Sequence, residues 1–246
     1  MKRILLIAVL LGTMITATTY FVCIAAPSVL FGKGIKGSGN IVTRTIDAPD
    51  FDRVDAARAV KVVITGKATG KITIEADDNI MEYVVVEAKG GRLTATIDKS
   101  VNNVSNADVT VTVPANGRIR ALDASSAARI DAAVKSTSCT VAASSASNID
   151  AAIETGSCTV GASSASKITL KGSADKCSID MSSAAKLSAA EFTVADCSVD
   201  TSSAAKATVN CTDKLRAEAS SGSSIRYTGD CQTSISKSSG GSVSRK

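Results

Sequence analysis

The 246-residue chain has no histidine, no tryptophan and only three prolines, and its aromatic residues amount to four phenylalanines and three tyrosines. Without histidine, the commonest general base, the Ser-His-Asp arrangement and most zinc sites are missing. So few aromatics leave a core to be built from small aliphatic side chains, which suits a narrow, repetitive interior better than a broad globular one. They also leave few platforms on which a sugar or base could stack. No repeat sustains an apolar stripe at i, i+3, i+4 and i+7, so helical solenoids are disfavoured. The formal net charge is +5, and it falls to +3 once Lys2 and Arg3 are set aside with the leader described below. That is too little, and too scattered, for a nucleic-acid footprint.

What the chain does have is a tandem repeat. Ser-Ser pairs begin at Ser125, Ser144, Ser163, Ser182, Ser202, Ser220 and Ser238, in steps of 19, 19, 19, 20, 18 and 18 residues. Aligned on these pairs, apolar columns appear: Ile130, Ile149, Ile168, Leu187, Ala207, Ile225 and Val243, and further on Val141, Val160, Ile179, Val199, Ala217 and Ile235. Cys139, Cys158, Cys177 and Cys197, followed by Leu215, stand two residues before the second column. A spacing of two puts both side chains on one face of a strand. Each repeat therefore reads as two short strands. One turn is the Ser-Ser-Ala stretch, and the other is a polar stretch such as Lys135–Ser138 or Glu154–Ser157. Such a pair cannot bury its apolar face alone, but stacked copies build a continuous core. Parallel coils about 4.8 Å apart make seven repeats a column roughly 30 Å tall. The expected fold is all-β, a parallel solenoid of about 19-residue coils over 124–246. A left-handed hexapeptide helix ranks lower, for want of a six-residue subperiod.

Ahead of it, residues 40–123 alternate apolar and polar without a fixed period, at Val60–Ile64, Lys71–Ala76, Arg92–Ile97 and Asp108–Val113. Pro114–Gly117 is a turn signal, Ser100–Ala107 reads as a polar loop, and Asp78–Tyr83 as one helical turn capped by Asp77 or Asp78. This part is expected to be an irregular β-layer capping the first coil. Residues 27–39 read as a linker, Gly/Lys/Ser-rich from Gly32. Residues 1–26 read as a targeting segment, with Lys2-Arg3 before the apolar Ile4–Leu11 run and small residues near Ala25-Ala26. It is a cleaved signal peptide, an uncleaved anchor or, through Tyr20-Phe21-Val22-Cys23, a degenerate lipidation site. Each points to export, to the periplasm, outer-membrane surface or exterior.

Candidate chemistry is weighed column by column. Serines recurring at every turn are turn formers, since a nucleophile is needed once and beside a base. The cysteine column is a stack of buried thiols, a set of disulfides between neighbouring coils, or a metal site, although a one-dimensional column does not converge on an ion. Cys211 falls in the register of Val134 and Ile153, and Cys231, in neither column, is the most exposed thiol expected. Arg129, Asn148, Lys167, Lys186 and Lys206 precede the Ile ladder by one residue and point outward. They form a solvated face that blocks sheet association, or a basic stripe for anionic glycans. Asp131, Asp150 and Asp180 make no convincing local pair. No catalytic, cofactor-binding or metal residue is assigned, and no cofactor is expected.

Phe51-Asp52-Arg53-Val54, Val60–Ile64, Ile72–Ile80 and Val109–Pro114, followed by small-residue turns about every 19 residues, resemble the head GIN domain family of auto-transporter adhesin-like envelope proteins in the Bacteroidetes lineage. The resemblance covers about residues 38–240. It implies a shape similar to pectate-lyase-like right-handed β-helices and a role in adhesion. Family members usually carry Gly-Ser-Gly at these turns, where this chain has Ser-Ser-Ala until Gly222 and Gly240. No coiled-coil stalk accompanies the pattern, so trimerisation is not expected. The functional expectation is an exported, non-enzymatic adhesion or interaction module whose partner is a glycan or a surface protein, with the membrane reached only through the N-terminal segment. The alternative is a polysaccharide lyase-like β-helix enzyme.

Overall fold

The computed structural model describes residues 33–66, 70–114 and 117–246. The leader, residues 27–32 of the expected linker and residues 115–116 of the turn after Val113 lie outside them. The strands are β1 Lys33–Lys36, β2 Ile41–Asp47, β3 Arg53–Ala56, β4 Lys61–Thr65, β5 Lys71–Asp77, β6 Val84–Lys89, β7 Arg92–Ile97, β8 Val101–Ser105 and β9 Val109–Pro114. The repeats supply β10 Ala121–Ala124, β11 Arg129–Ala143, β12 Asn148–Ala162, β13 Lys167–Met181, β14 Lys186–Thr201, β15 Lys206–Ala219, β16 Ser224–Thr228, β17 Gln232–Lys237 and β18 Ser242–Arg245. Among the described residues there is no α-helix, and no helix long and apolar enough to cross a membrane.

From β10 to β18 every neighbour pairs in parallel, one coil to the next. The apolar columns are literal stacks: Ile130 opposes Ile149, which opposes Ile168, then Leu187, Ala207 and Ile225, all nearly or wholly buried. Val141, Val160, Ile179, Val199 and Ala217 form a second stack, and the four cysteines and Leu215 a third. The chain is thus a parallel β-solenoid of roughly 19-residue coils.

One expectation needs correcting. A coil does not consist of two strands separated by two turns. The polar stretch around Lys135–Ser138 stays in the ladder, so each middle coil is one strand of 14 to 16 residues. The ladder bends there by leaving one residue per rung unpaired, Thr137 against Gly156 in the first case. Side-chain hydroxyls hold the corner, Ser136 Oγ donating to the Ser138 carbonyl at 3.0 Å and Thr155 Oγ1 to the Ser157 carbonyl at 3.1 Å. A polar, turn-like composition marks a bend here without ending the strand.

The Ser-Ser-Ala stretch is a true turn. Ser126 and Ala127 have φ of 52° and 62°, and the same left-handed pair recurs at Ser145-Ala146, Ser164-Ala165, Ser183-Ala184 and Ser203-Ala204. The amide of Ala128 donates to the Ser125 carbonyl at 3.0 Å, closing a turn with positive φ at both central residues. The central alanine amide also donates to the next coil's central serine, Ala127 to Ser145 and Ala146 to Ser164, so the ladder runs through the turns as well. In three coils the residue after the turn is a buried serine: Ser147 Oγ donates to the Ala124 carbonyl at 2.8 Å, Ser166 Oγ to the Ala143 carbonyl at 2.9 Å and, after Gly222, Ser223 Oγ to the Thr201 carbonyl at 2.9 Å. Turn geometry therefore survives the replacement of glycine by alanine, at the steric cost of a Cβ in the left-handed region.

Coils begin earlier than the first Ser pair. Arg58 and Ala59 have φ of 58° and 61°, and the Ala59 amide donates to Ser126. β3 and β4 flank this turn as the coil beneath β10 and β11. β7 and β9 stack below them, parallel to β3 and β4. The stack is closed by antiparallel strands, β6 on β7, β5 on β9 and β2 on β5. Two segments expected to be irregular are paired: Lys33–Lys36 of the linker and Val101–Ser105 of the polar loop form a parallel two-stranded sheet. The expected helical turn is a single 3-10 turn, Met81–Tyr83, with no side-chain cap. Asp77 is instead buried, accepting the amides of Gly39 at 2.6 Å and Asp108 at 2.9 Å. It ties the start of the described chain to the cap.

The 20-residue step shows as register shifts on both sides of β14. They correct the placement of Cys211, which opposes Val194 and not the Val134–Ile153 column. That column runs Val134, Ile153, Gly172, Phe192, and Phe192 is fully buried beside the glycine.

Two outcomes follow from this geometry. Ala146→Gly should stabilise the protein by about 0.5 kcal/mol, because relief of the left-handed strain, about 1–2 kcal/mol, exceeds the entropic penalty of glycine, about 0.5–1 kcal/mol. A lower urea midpoint for this variant would contradict the turn geometry. Deleting residues 143–161 joins equivalent positions of adjacent coils, Ala142 to Ala162, so a shorter solenoid with unchanged circular dichroism per residue is expected. A random-coil spectrum would show that coils are not interchangeable.

Candidate functional site

Polar side chains stand outward in rows because strands alternate in and out and the coils stay in register. Along one face, Lys61, Arg129, Asn148, Lys167, Lys186 and Lys206 form the first row. Two residues on, Asp131, Asp150, Thr169, Ser188, Thr208 and Arg226 form the second. The sequence expectation of an outward basic column holds, but its two halves differ.

In the first half the charges are paired. Arg129 donates to Asp131 at 3.0 Å and to Asp150 at 2.8 Å, and Lys61 Nζ lies 3.2 Å from Asp131. Partial burial pushes the Asp131 carboxyl up, but the hydrogen bonds and charges of Arg129 and Lys61 outweigh it and leave it below the usual carboxylate range. Arg129 thus bridges Asp131, two residues on in its own strand, and Asp150 in the next coil, while Lys61 reaches Asp131 from the coil before. In the third, fourth and fifth repeats the second row carries the hydroxyls of Thr169, Ser188 and Thr208, and in the sixth Arg226. Lys167, Lys186, Lys206 and Arg226 are exposed, and none forms an ion pair with another described residue. A surface depression of about 410 Å³ lies among Lys186, Lys206, Thr208, Ser224 and Arg226.

The face at the other end of each long strand carries both signs. Asp180 and Asp200 share a row with Glu218, which accepts from Arg216, and Asp196 stands in register between Lys176 and Lys214. At its N-terminal end, Arg53, Arg92 and Arg120 surround a cavity of about 330 Å³ with Asp55, Asp123, Ser138 and Thr140. Here too most charges are matched, Arg92 with Asp55 and Arg120 with Asp52 at 2.6 Å. Desolvation against the cavity wall raises the Asp123 carboxyl, the neighbouring Asp55 charge adds to this, and Arg92 opposes it.

Sequence reading did not find the arginine cluster or Arg226. Arg53 and Arg92 lie 39 residues apart yet oppose each other in β3 and β7. The signal was there in Arg53-Val54-Asp55-Ala56 and Arg92-Leu93-Thr94-Ala95, which share a pattern and a register. Arg226 belongs to the hydroxyl row and so escaped a search along the lysine row.

The six described cysteines are free thiols. Cys139, Cys158, Cys177, Cys197 and Cys211 are buried and Cys231 is partly exposed, in keeping with the sequence expectation for that residue. Burial pushes the Cys139 thiol up to about 12, with the neighbouring Cys158 adding to it. Burial first, and then the nearby Cys231 and Cys197, raise Cys211 to about 12. No group of three or more His, Cys, Asp or Glu side chains among the described residues is placed to hold a metal ion.

Fold and faces define a class: a parallel β-solenoid whose polar groups recur in rows along its sides. A family model described as "Putative auto-transporter adhesin, head GIN domain" matches residues 50–231, and the chain belongs to that family. Its fold is shared with crystal structures of a putative adhesin from Bacteroides fragilis (20% identity, 87% of this chain and 100% of that one, TM-score 0.77) and a putative adhesin from Parabacteroides merdae (18%, 87% and 99%, 0.68). A structure described as a putative lipid binding protein from Parabacteroides distasonis is also similar (19%, 87% and 100%, 0.67). No curated protein matches the sequence.

Thiol chemistry tests the burial pattern. With folded protein, an alkylating reagent followed by peptide mapping should label Cys231 ahead of the buried Cys139 up to about pH 9, because a Cys139 thiol raised to about 12 stays protonated there. Equal labelling of Cys139 and Cys231 at pH 8 would place the cysteine column at the surface.

Proposed function

We propose that this chain is an exported, non-enzymatic adhesion module that contacts surface molecules through the side faces of its solenoid. Family membership supports the adhesive role. The apolar run behind Lys2-Arg3 supports export. The observation that carries the reading is the row Lys167, Lys186 and Lys206, exposed, joined by Arg226 of the neighbouring hydroxyl row and left without acidic partners while Lys61 and Arg129 are neutralised. Catalysis draws on a singular, preorganised constellation, whereas a row offers the same group coil after coil. Repetition favours weak contacts that add up through effective concentration.

Three measurements test this. Cell fractionation with externally added protease should find the mature chain outside the cytoplasm. A glycan array together with envelope-protein capture should reveal a partner whose binding weakens with salt. Polygalacturonate and other acidic polysaccharides should stay intact on incubation. Cytoplasmic retention, or depolymerisation that vanishes on changing one carboxylate, would overturn the reading.

A further inference from the structure

We infer that the row Lys167–Lys186–Lys206, joined on the next coil by Arg226 of the neighbouring hydroxyl row, seats a linear acidic polysaccharide lying along the solenoid axis, with about one carboxylate per coil. The inference rests on the interaction-module reading and names the ligand class.

These charges serve no structural purpose in the sheet. Lysines that protect a sheet belong on edge strands, but β13, β14 and β15 each have a parallel neighbour on both sides. Like charges directly opposite one another on adjacent strands oppose folding, and here three stand in register. In the preceding coils the same rows solve that problem with Asp131 and Asp150. From Thr169 onward the compensating carboxylates are missing, so a ligand that brings its own would relieve the repulsion.

The spacing of the cations also suits such a ligand. Adjacent rungs lie about 4.8 Å apart, so three steps from Lys167 to the Arg226 coil span roughly 15 Å. A flexible 1,4-linked uronan carries one carboxylate per sugar at a spacing of the order of one rung, and rotation about its glycosidic bonds turns carboxylates toward the cations. Thr169, Ser188 and Thr208 run beside the lysines and offer hydroxyls to the sugar hydroxyls. The depression among Lys186, Lys206, Ser224 and Arg226 gives the chain a shallow bed. The site ends where Asp150 enters the second row, because its carboxylate repels the polymer. A single-stranded nucleic acid fits poorly, since it also calls for aromatic stacking platforms, and the residues along this row supply none.

The test is titration of the full chain with size-defined oligogalacturonates at low ionic strength. Affinity should rise with length and level off at about four to five sugars, the number the rungs accommodate. Replacing Lys167, Lys186 and Lys206 together with alanine should weaken binding about ten- to hundredfold. The same change to Lys176, Lys214 and Arg216 on the opposite face should alter it by no more than about twofold. All six side chains are exposed, so unchanged circular dichroism is expected of both variants. Lys→Arg at the three row positions should retain binding. Affinity that ignores the row substitutions, that falls equally for both faces, or that is matched by inorganic polyphosphate of equal charge would overturn the inference. Binding only to a neutral glycan or an envelope protein would overturn it while leaving the interaction-module reading intact, whereas a chain with no partner at all would sink both.

Discussion

The structure depends on a backbone ladder that is not interrupted at the turns. In most sheets a turn ends the hydrogen bonding. Here the left-handed pair at each Ser-Ala aims the central amide along the stack, so Ala127, Ala146, Ala165, Ala184 and Ala204 each donate to the coil above. Two successive positive φ angles at non-glycine residues are unfavourable, and their recurrence shows how strongly the surrounding rungs determine them. The ladder also satisfies turn backbone groups that would otherwise be left to water.

Continuous register has consequences for packing. Identical or similar residues lie on one another, so the interior is filled column by column, and each column must keep its volume within narrow limits. Ile130, Ile149 and Ile168 do so by repetition. Ile153, Gly172 and Phe192 do so by variation, a large side chain lying next to a glycine. Gly172, at φ 103°, has no room for a side chain, since a Cβ there would meet the Ile153 carbonyl. The ends of the stack differ from its middle. At one end β6 and β2 turn antiparallel, and Asp77 pins the incoming chain. At the other, β17 is exposed throughout, Ile235 included, and it ends in Lys237.

The coils from Ser125 onward were legible because a 19-residue period exposes the columns directly, and Ile149 against Ile168 is where the alignment put it. The strand at the polar corner was misread because Ser, Thr and Gly signal turns by composition, while the neighbouring coil supplies the hydrogen bonds that keep Ser136 and Ser138 in the ladder. The first coil was hidden for a different reason. Arg58-Ala59 adopts the turn without the Ser pair, and its neighbour Ser126-Ala127 comes only after the chain has run out to the cap and back. Cys211 was misplaced because alignment on the Ser pairs assumes equal coils, and the 20-residue step breaks that assumption at β14. The rows of the candidate site were visible in sequence. Their pairing was not, because Arg129 reaches Asp150 across 21 residues.

A repeat has no privileged place of its own, since every coil offers what its neighbour offers. A bounded site can arise only where one column changes residue class while the columns beside it do not. That happens between Asp150 and Thr169: the basic row continues through Lys167, Lys186 and Lys206, and the acidic row stops. The backbone is unchanged across the boundary, and Ile149 and Ile168 pack alike on either side, so core and turns are indifferent to the change. Outward positions of a solenoid are free to vary because they carry little of the folding energy. The same indifference that makes the scaffold repetitive therefore lets a few substitutions in one outward row turn a neutralised face into a charged one.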